Sequence, residues 1–151
     1  MRSTTALHLG LVGVALLAAL PAFADAALDG ARARWQAAAL TTYEYGYQKY
    51  CDCHRENPPE TTVTVRGGSV AGVRHRPAGS TVDVPGKDIE YYWTVDGLFD
   101  LIASAQARGV QVRATYDADL GFPREIYIDY DAKLIGDELD VRLTRVTRLD
   151  R

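Results

Sequence analysis

The stretch that decides the fold runs from Thr94 to Tyr116 and reads TVDGLFDLIASAQARGVQVRATY. The part up to Gly109 predicts a helix, because threonine is a favourable N-cap and glycine is favourable just after a last turn. The apolar residues of this part lie on one helix face: Val95, Leu98, Ile102 and Ala105. After Gly109, apolar and polar residues alternate with the period of a strand that has one buried face. This combination favours an α+β fold, with helices covering one face of an antiparallel sheet.

The rest of the chain contains the same kinds of element on both sides of this stretch. The segment Asp25–Leu40 predicts a first helix, with Trp35 on its apolar face. Strand periodicity appears in six segments: 43–50, 61–66, 69–76, 110–116, 126–130 and 139–146. Short connections favour antiparallel neighbours. We therefore expect the order helix-β-β-β-helix-β-β-β, with about six antiparallel strands and two helices on one face.

Irregular positions are predicted within this scheme. The Gly-Gly pair at 67–68 suits a two-residue hairpin turn. Gly72 indicates a bulge in the strand that follows this turn, and a bulge near Arg145 would shift the alternation of the last strand by one residue. The segment Pro77–Asp88 predicts a loop, within which residues 81–84 could pair weakly.

The first 24 residues predict a secretory signal peptide. Arg2 supplies a positive start, residues 7–20 form an apolar run, and Ala22-Phe23-Ala24 has the small-x-small pattern of a cleavage site. Cleavage after Ala24 would leave residues 25–151 as a single α+β domain. The apolar run is shorter than the roughly 20 residues of a membrane span, and no cysteine marks the junction for lipid attachment. We therefore expect a periplasmic or secreted protein with no stable membrane anchor.

The charge balance argues against a nucleic-acid partner. The formal net charge is −3 at pH 7, and a mildly acidic chain lacks the broad basic footprint of a nucleic-acid-binding protein. Arginines do cluster near the C-terminus, but their spacing is typical of a solvated strand edge: Arg142, Arg145, Arg148 and Arg151. The expected partner is an unknown protein or small ligand.

The segment Cys51-Asp52-Cys53-His54 allows three interpretations. Export to an oxidising compartment favours a Cys51–Cys53 disulfide. The backbone would have to bend, because Cα atoms two apart in a strand are separated by about 6.8 Å, the limit of disulfide geometry. A thiol redox site is the second interpretation, although the C-x-x-C signature is absent. The third is a copper or zinc site formed by Cys51, Cys53 and His54, with His75 as a further ligand.

Little else in the sequence points to chemistry. Acidic residues gather in two turn regions: Asp117 and Asp119 in the first, and Asp129, Asp131, Asp137, Glu138 and Asp140 in the second. Such residues can begin a calcium site, but aspartate also forms turns by bonding its own backbone. The serines lack a G-x-S-x-G setting, and after signal cleavage only His54 and His75 could act as bases near neutral pH. We therefore expect neither enzymatic activity nor a cofactor.

Three tyrosines form a further candidate feature. Tyr43, Tyr45 and Tyr47 share one face of the first predicted strand, because strand side chains alternate with a period of two. Tyrosine combines an apolar body with a polar tip, which suits recognition surfaces. These tyrosines could form a binding surface, but an ordinary half-buried sheet face is the simpler interpretation.

Taken in order, several of these motifs resemble one family. They are the Trp35 helix, Tyr43-x-Tyr45, Cys51-x-Cys53, Val63-x-Val65-x-x-Gly68-x-Val70, Leu98-Phe99, and Tyr116-Asp117-x-x-x-Gly121-Phe122-Pro123 leading to Ile128-Asp129. The series resembles domain-of-unknown-function family 6174, small exported bacterial proteins, over nearly the whole chain after the predicted signal peptide. The resemblance implies export, a helix–strands–helix–strands domain and no established activity. It also marks the turn from Tyr116 to Pro123, which contains Asp119, as a family feature.

Two functions follow from these expectations. The first is an exported, non-enzymatic binding or interaction protein with a Cys51–Cys53 disulfide. The second is a periplasmic protein that binds copper or zinc, or performs thiol redox chemistry, through Cys51, Cys53 and His54.

Overall fold

Two helices and seven strands make up the computed structural model, which describes residues 26–50, 60–75 and 82–149. The helices are α1 (Ala26–Ala38) and α2 (Val95–Ala107). The strands are β1 (Tyr43–Tyr50), β2 (Thr61–Arg66), β3 (Ser69–His75), β4 (Val82–Asp83), β5 (Gln111–Tyr116), β6 (Pro123–Asp129) and β7 (Leu139–Arg148). The predicted signal peptide and the segment with Cys51, Cys53 and His54 lie outside the described residues.

The strands form one antiparallel sheet in the order β4-β3-β2-β1-β7-β6-β5. Each half of the chain builds one side of the sheet, and the two sides join where β1 pairs with β7. The α+β class and the expected order of elements are confirmed. The segment expected to pair weakly supplies the two-residue edge strand β4. A 3₁₀ helix, Gly86–Tyr91, begins inside the predicted loop. Its first turn is closed by a hydrogen bond from Asp88 N–H to the Pro85 carbonyl at 2.8 Å.

Three bulges modify the pairing of the strands. In β7, Thr144 pairs with Gly46 and Val146 pairs with Tyr45, so Arg145 is the extra residue and the predicted bulge is confirmed. The bulge in β3 lies at Ala71 rather than at Gly72. A third bulge, in β6, was not predicted: Thr115 pairs with Glu125 and Tyr116 with Pro123, which leaves Arg124 as the extra residue.

Both helices cover the same face of the sheet, because both contact the side chain of Tyr43. The Trp35 ring of α1 meets the Tyr43 ring edge to face at 5.1 Å, and the Val95 N–H of α2 donates to the Tyr43 hydroxyl at 3.0 Å. The α2 residues Leu98, Phe99 and Ile102 are fully buried in the hydrophobic core. Burial of each large apolar side chain contributes about 1.5–3 kcal/mol. Neither described helix has the length and hydrophobicity of a membrane span.

Candidate functional site

Two shallow depressions lie beside β7. The first has a volume of about 510 Å³ and runs between β7 and the turn before β6. We call it the arginine groove, and its lining residues are Asp117, Asp119, Leu120, Phe122, Arg124, Leu143, Thr144, Arg145 and Val146. Its volume lies within the usual range for ligand pockets, about 300–1,000 Å³.

Both basic residues of the arginine groove are the extra residues of β-bulges. Arg124 is the extra residue of β6 and Arg145 is that of β7. Bulges re-aim side chains and are frequent beside functional sites. Arg145 also has a φ of +31°, which is unusual for a residue other than glycine, asparagine or aspartate. Two separate irregularities of the sheet therefore place two arginines at one groove.

A second depression of about 470 Å³ is continuous with the arginine groove, because both include Arg124, Leu143 and Thr144. Arg142 lies in the second depression. Its guanidinium stands 4.8 Å from the centre of the Tyr50 ring, and its Nε lies 3.8 Å from Glu125 Oε1. Stacking on the ring and the nearby carboxylate both contribute to the orientation of this arginine.

The two groove arginines differ in their electrostatic environment. Arg145 donates to Glu60 Oε1 at 2.9 Å, and the Thr144 hydroxyl donates to the same oxygen at 3.2 Å. Arg124 is exposed and makes no ion pair with the described residues. Its donors are therefore the ones most readily offered to an anionic ligand.

Gly46 makes room for the Glu60 carboxylate. A Cβ at this position would lie 2.1 Å from Thr144 Oγ1 and 2.6 Å from Glu60 Oε1. No side chain could therefore occupy position 46 while Glu60 reaches across β1 to β7. Gly46 therefore allows Glu60 to reach Thr144 and Arg145, which line the groove.

The turn from Tyr116 to Pro123 forms the wall of the groove opposite β7. The Asp117 carboxylate accepts from Asp119 N–H at 3.1 Å and from Leu120 N–H at 2.8 Å. Asp117 therefore stabilises the turn through hydrogen bonds to the turn's own backbone, which is the alternative to a calcium site that the sequence left open. Gly121 has a φ of +80°, and Phe122 is buried beside it. Among the described residues no three His, Cys, Asp or Glu side chains are placed to hold a metal ion.

The three tyrosines of β1 lie in the core, more deeply buried than the half-buried sheet face of the simpler interpretation, and they form no open surface. Tyr43, Tyr45 and Tyr47 are 1%, 1% and 4% exposed. The Tyr45 hydroxyl donates to the Trp93 carbonyl, and that of Tyr43 accepts from Val95 N–H. The polar tips therefore satisfy backbone groups at the start of α2. The strand pattern could not distinguish this use of tyrosine from a solvated face.

Burial perturbs the phenol groups of these tyrosines. It raises the pKa of Tyr43 to about 12, against the opposing effect of the hydrogen bond from Val95. It also raises the pKa values of Tyr45 and Tyr47 well above the ordinary value, and neighbouring tyrosines add to the effect. All three groups are neutral near pH 7 and serve as packing and hydrogen-bonding groups.

His75 is the one proposed metal ligand within the described residues. Its Nδ1 lies 2.8 Å from Thr61 Oγ1, and its Nε2 lies 3.4 Å from the Tyr92 hydroxyl. Both ring nitrogens therefore have polar neighbours from the sheet and from the segment before α2. A metal at His75 would have to displace one of these contacts.

Fold and groove together define a class: an α+β domain in which helices cover one face of an antiparallel sheet and an arginine-lined groove lies beside its last strand. The chain belongs to the family of unknown function DUF6174, whose model matches residues 27–148. The match includes both helices, from Ala27 onward, and all seven strands. No curated protein and no solved structure matches the chain.

Proposed function

We propose that this is an exported, non-enzymatic binding protein that takes an anionic ligand in the arginine groove. The observation that carries the proposal is the pair of bulges that directs Arg124 and Arg145 to one depression. Guanidinium groups bind carboxylate and phosphate in a planar, two-bonded geometry. Export follows from the signal-like first 24 residues, and a Cys51–Cys53 disulfide is the expected state of the two cysteines in an oxidising compartment.

The composition of the groove supports a ligand with both apolar and anionic parts. Leu120 and Val146, both half-buried, provide apolar contact surface, and Thr144 adds a hydroxyl. The carboxylate of Asp117 is engaged by two backbone N–H groups, so it competes less with a ligand for the arginines. Binding sites commonly combine apolar lining with a few polar groups that fix orientation.

Titration with glutarate tests the anionic ligand. We expect saturable shifts of amide resonances in residues 117–124 and 142–146, because a small dicarboxylate should bridge Arg124 and its neighbours. Arg124→Gln should weaken this binding by at least about tenfold, since a charge-assisted hydrogen bond is lost. Arg113→Gln is the matched control, because Arg113 is an exposed arginine of β5 that stacks on Tyr127 outside the groove. Equal weakening by both variants, or no saturable shifts, would overturn the proposal.

The mass of the exported protein tests the remaining parts. We expect a mature start at Asp25 and a mass lower by two hydrogen atoms than that of the reduced chain. Reduction should restore these two hydrogen atoms, and alkylation should then add one group to each of the two thiols. Free thiols together with copurifying copper or zinc, lost in Cys53→Ser, would instead support the metal interpretation. Retention of the first 24 residues would contradict export with cleavage.

A further inference from the structure

The second half of β7 is paired on one side only. β6 pairs with β7 through Leu139–Arg142, whereas β1 pairs with β7 as far as Arg148. From Leu143 onward, β7 therefore has an open edge within the described residues, although it lies in the middle of the sheet order. Alternate residues of an antiparallel strand direct their N–H and C=O groups to each side. This part of β7 thus presents backbone donors and acceptors to the arginine groove.

The sequence explains why β6 leaves this edge open. Arg124 is the extra residue of a bulge, which interrupts the ladder. Pro123, the first residue of β6, has no N–H to donate. The chain before it turns away toward α1, where Gly121 meets the carbonyl of Ala31. The position that β6 would otherwise occupy beside Leu143 and Thr144 is the arginine groove.

We propose that the ligand of the arginine groove is an extended segment of another protein, which adds a short strand to the open half of β7. This inference rests on the proposed function, because it uses the same groove and the same arginines. The open half of β7, residues 143–148, is at most about 20 Å long at about 3.4 Å per residue, and the bulge at Arg145 shortens it, which still leaves room for a short strand. Peptides bind exposed strand edges through backbone hydrogen bonds, and pockets for alternate side chains provide specificity.

The side chains of the groove define the chemistry of this segment. Leu120 and Val146 in the lining favour apolar residues of the segment. Arg124 and Arg145 in the same lining favour carboxylates. Because strand side chains alternate, the segment that fits best alternates apolar and acidic residues. Glu60 already pairs with Arg145, so Arg124 is expected to carry more of the charge recognition.

A fluorescein-labelled hexapeptide of alternating valine and glutamate tests the inference. We expect saturable binding to the full mature protein, at least about tenfold weaker with Arg124→Gln and unchanged with Arg113→Gln. We also expect slower hydrogen exchange at the amides of residues 143–148 on binding. The same hexapeptide with N-methyl groups on every second amide keeps its charges but cannot pair along one edge. We expect it to bind at least about tenfold more weakly than the unmodified peptide.

The other outcomes separate the two proposals. Equal binding of the methylated and unmethylated peptides would overturn strand addition and leave anion binding in place. Binding of a lysine-containing hexapeptide in preference to the glutamate one, with no response to glutarate, would overturn both. A peptide-free dimer or oligomer that Arg124→Gln dissociates would overturn the inference as well, because the occupant would then be a second copy of this chain.

Discussion

Replacement of Gly121 by alanine is expected to cost about 3 kcal/mol or more of the free energy of unfolding. Two effects combine at this position. The φ of +80° lies in the left-handed region, which costs an L-residue about 1–2 kcal/mol. A Cβ would also lie 2.2 Å from the carbonyl oxygen of Ala31 and 3.0 Å from Arg34 Cβ. A backbone carbonyl in a helix cannot rotate away, so α1 would have to move off the turn.

Gly109→Ala is the matched control for this variant. Gly109 has a similar φ of +72°, but nothing lies within 4 Å of the position its Cβ would take. It should therefore lose only the backbone part, about 1–2 kcal/mol. Urea denaturation of both variants measures the difference. Equal losses would contradict the close approach of the turn to α1, whereas a larger loss for Gly121→Ala would support that contact.

The helices and strands could be predicted because the apolar residues of each recur with the period of that type of secondary structure. Helix α2 occupies Val95–Ala107, inside the predicted limits of Thr94 and Gly109, and its cap is made as expected, with Gly97 N–H donating to Thr94 Oγ1 at 3.0 Å. The bulge at Arg145 was predictable for the same reason, since the apolar alternation of β7 breaks there. Local chemistry was sufficient in all these cases.

The candidate site depended on contacts between distant parts of the chain, and local patterns could not supply it. The pairing of β1 with β7 joins segments about a hundred residues apart. Arg124 lies beside Pro123, and the absent N–H of that proline is the one local signal for an end of pairing. The sequence left both a buried face and a binding surface open for Tyr45, because tyrosine suits cores and surfaces alike, and the position of the Trp93 carbonyl decides between them.

Alkaline unfolding between about pH 10 and pH 12 is the second large effect that the structure predicts, from the buried tyrosines. A phenol whose folded-state pKa is raised favours the folded state while it stays neutral. This contribution is complete below the unfolded pKa of about 10 and is lost as the pH rises through the folded value. For Tyr43 the folded value is about 12. That shift corresponds to about 3 kcal/mol.

Burial raises the pKa values of Tyr45 and Tyr47 as well, so their contributions to the loss of stability add to that of Tyr43. Each group contributes a slope of about 1.4 kcal/mol per pH unit above pH 10, and three groups contribute about 4. Small domains have stabilities of only about 5–15 kcal/mol, so the fold should be lost within a narrow range of pH. Urea denaturation at a series of pH values, with tyrosinate absorbance recorded in parallel, measures this slope.

The variant that tests the assignment is Tyr47→Phe, which removes one titrating group and keeps the ring in the core. Its stability should fall by about 1.4 kcal/mol less per pH unit above pH 10 than that of the wild type. Tyr91→Phe is the control, because Tyr91 is 66% exposed and its replacement should leave the slope unchanged. If the two variants reduced the slope equally, the loss would come from general charge repulsion at high pH. A reduction confined to Tyr47→Phe would support the buried tyrosines as its cause, since only a phenol held away from water gains stability from staying neutral.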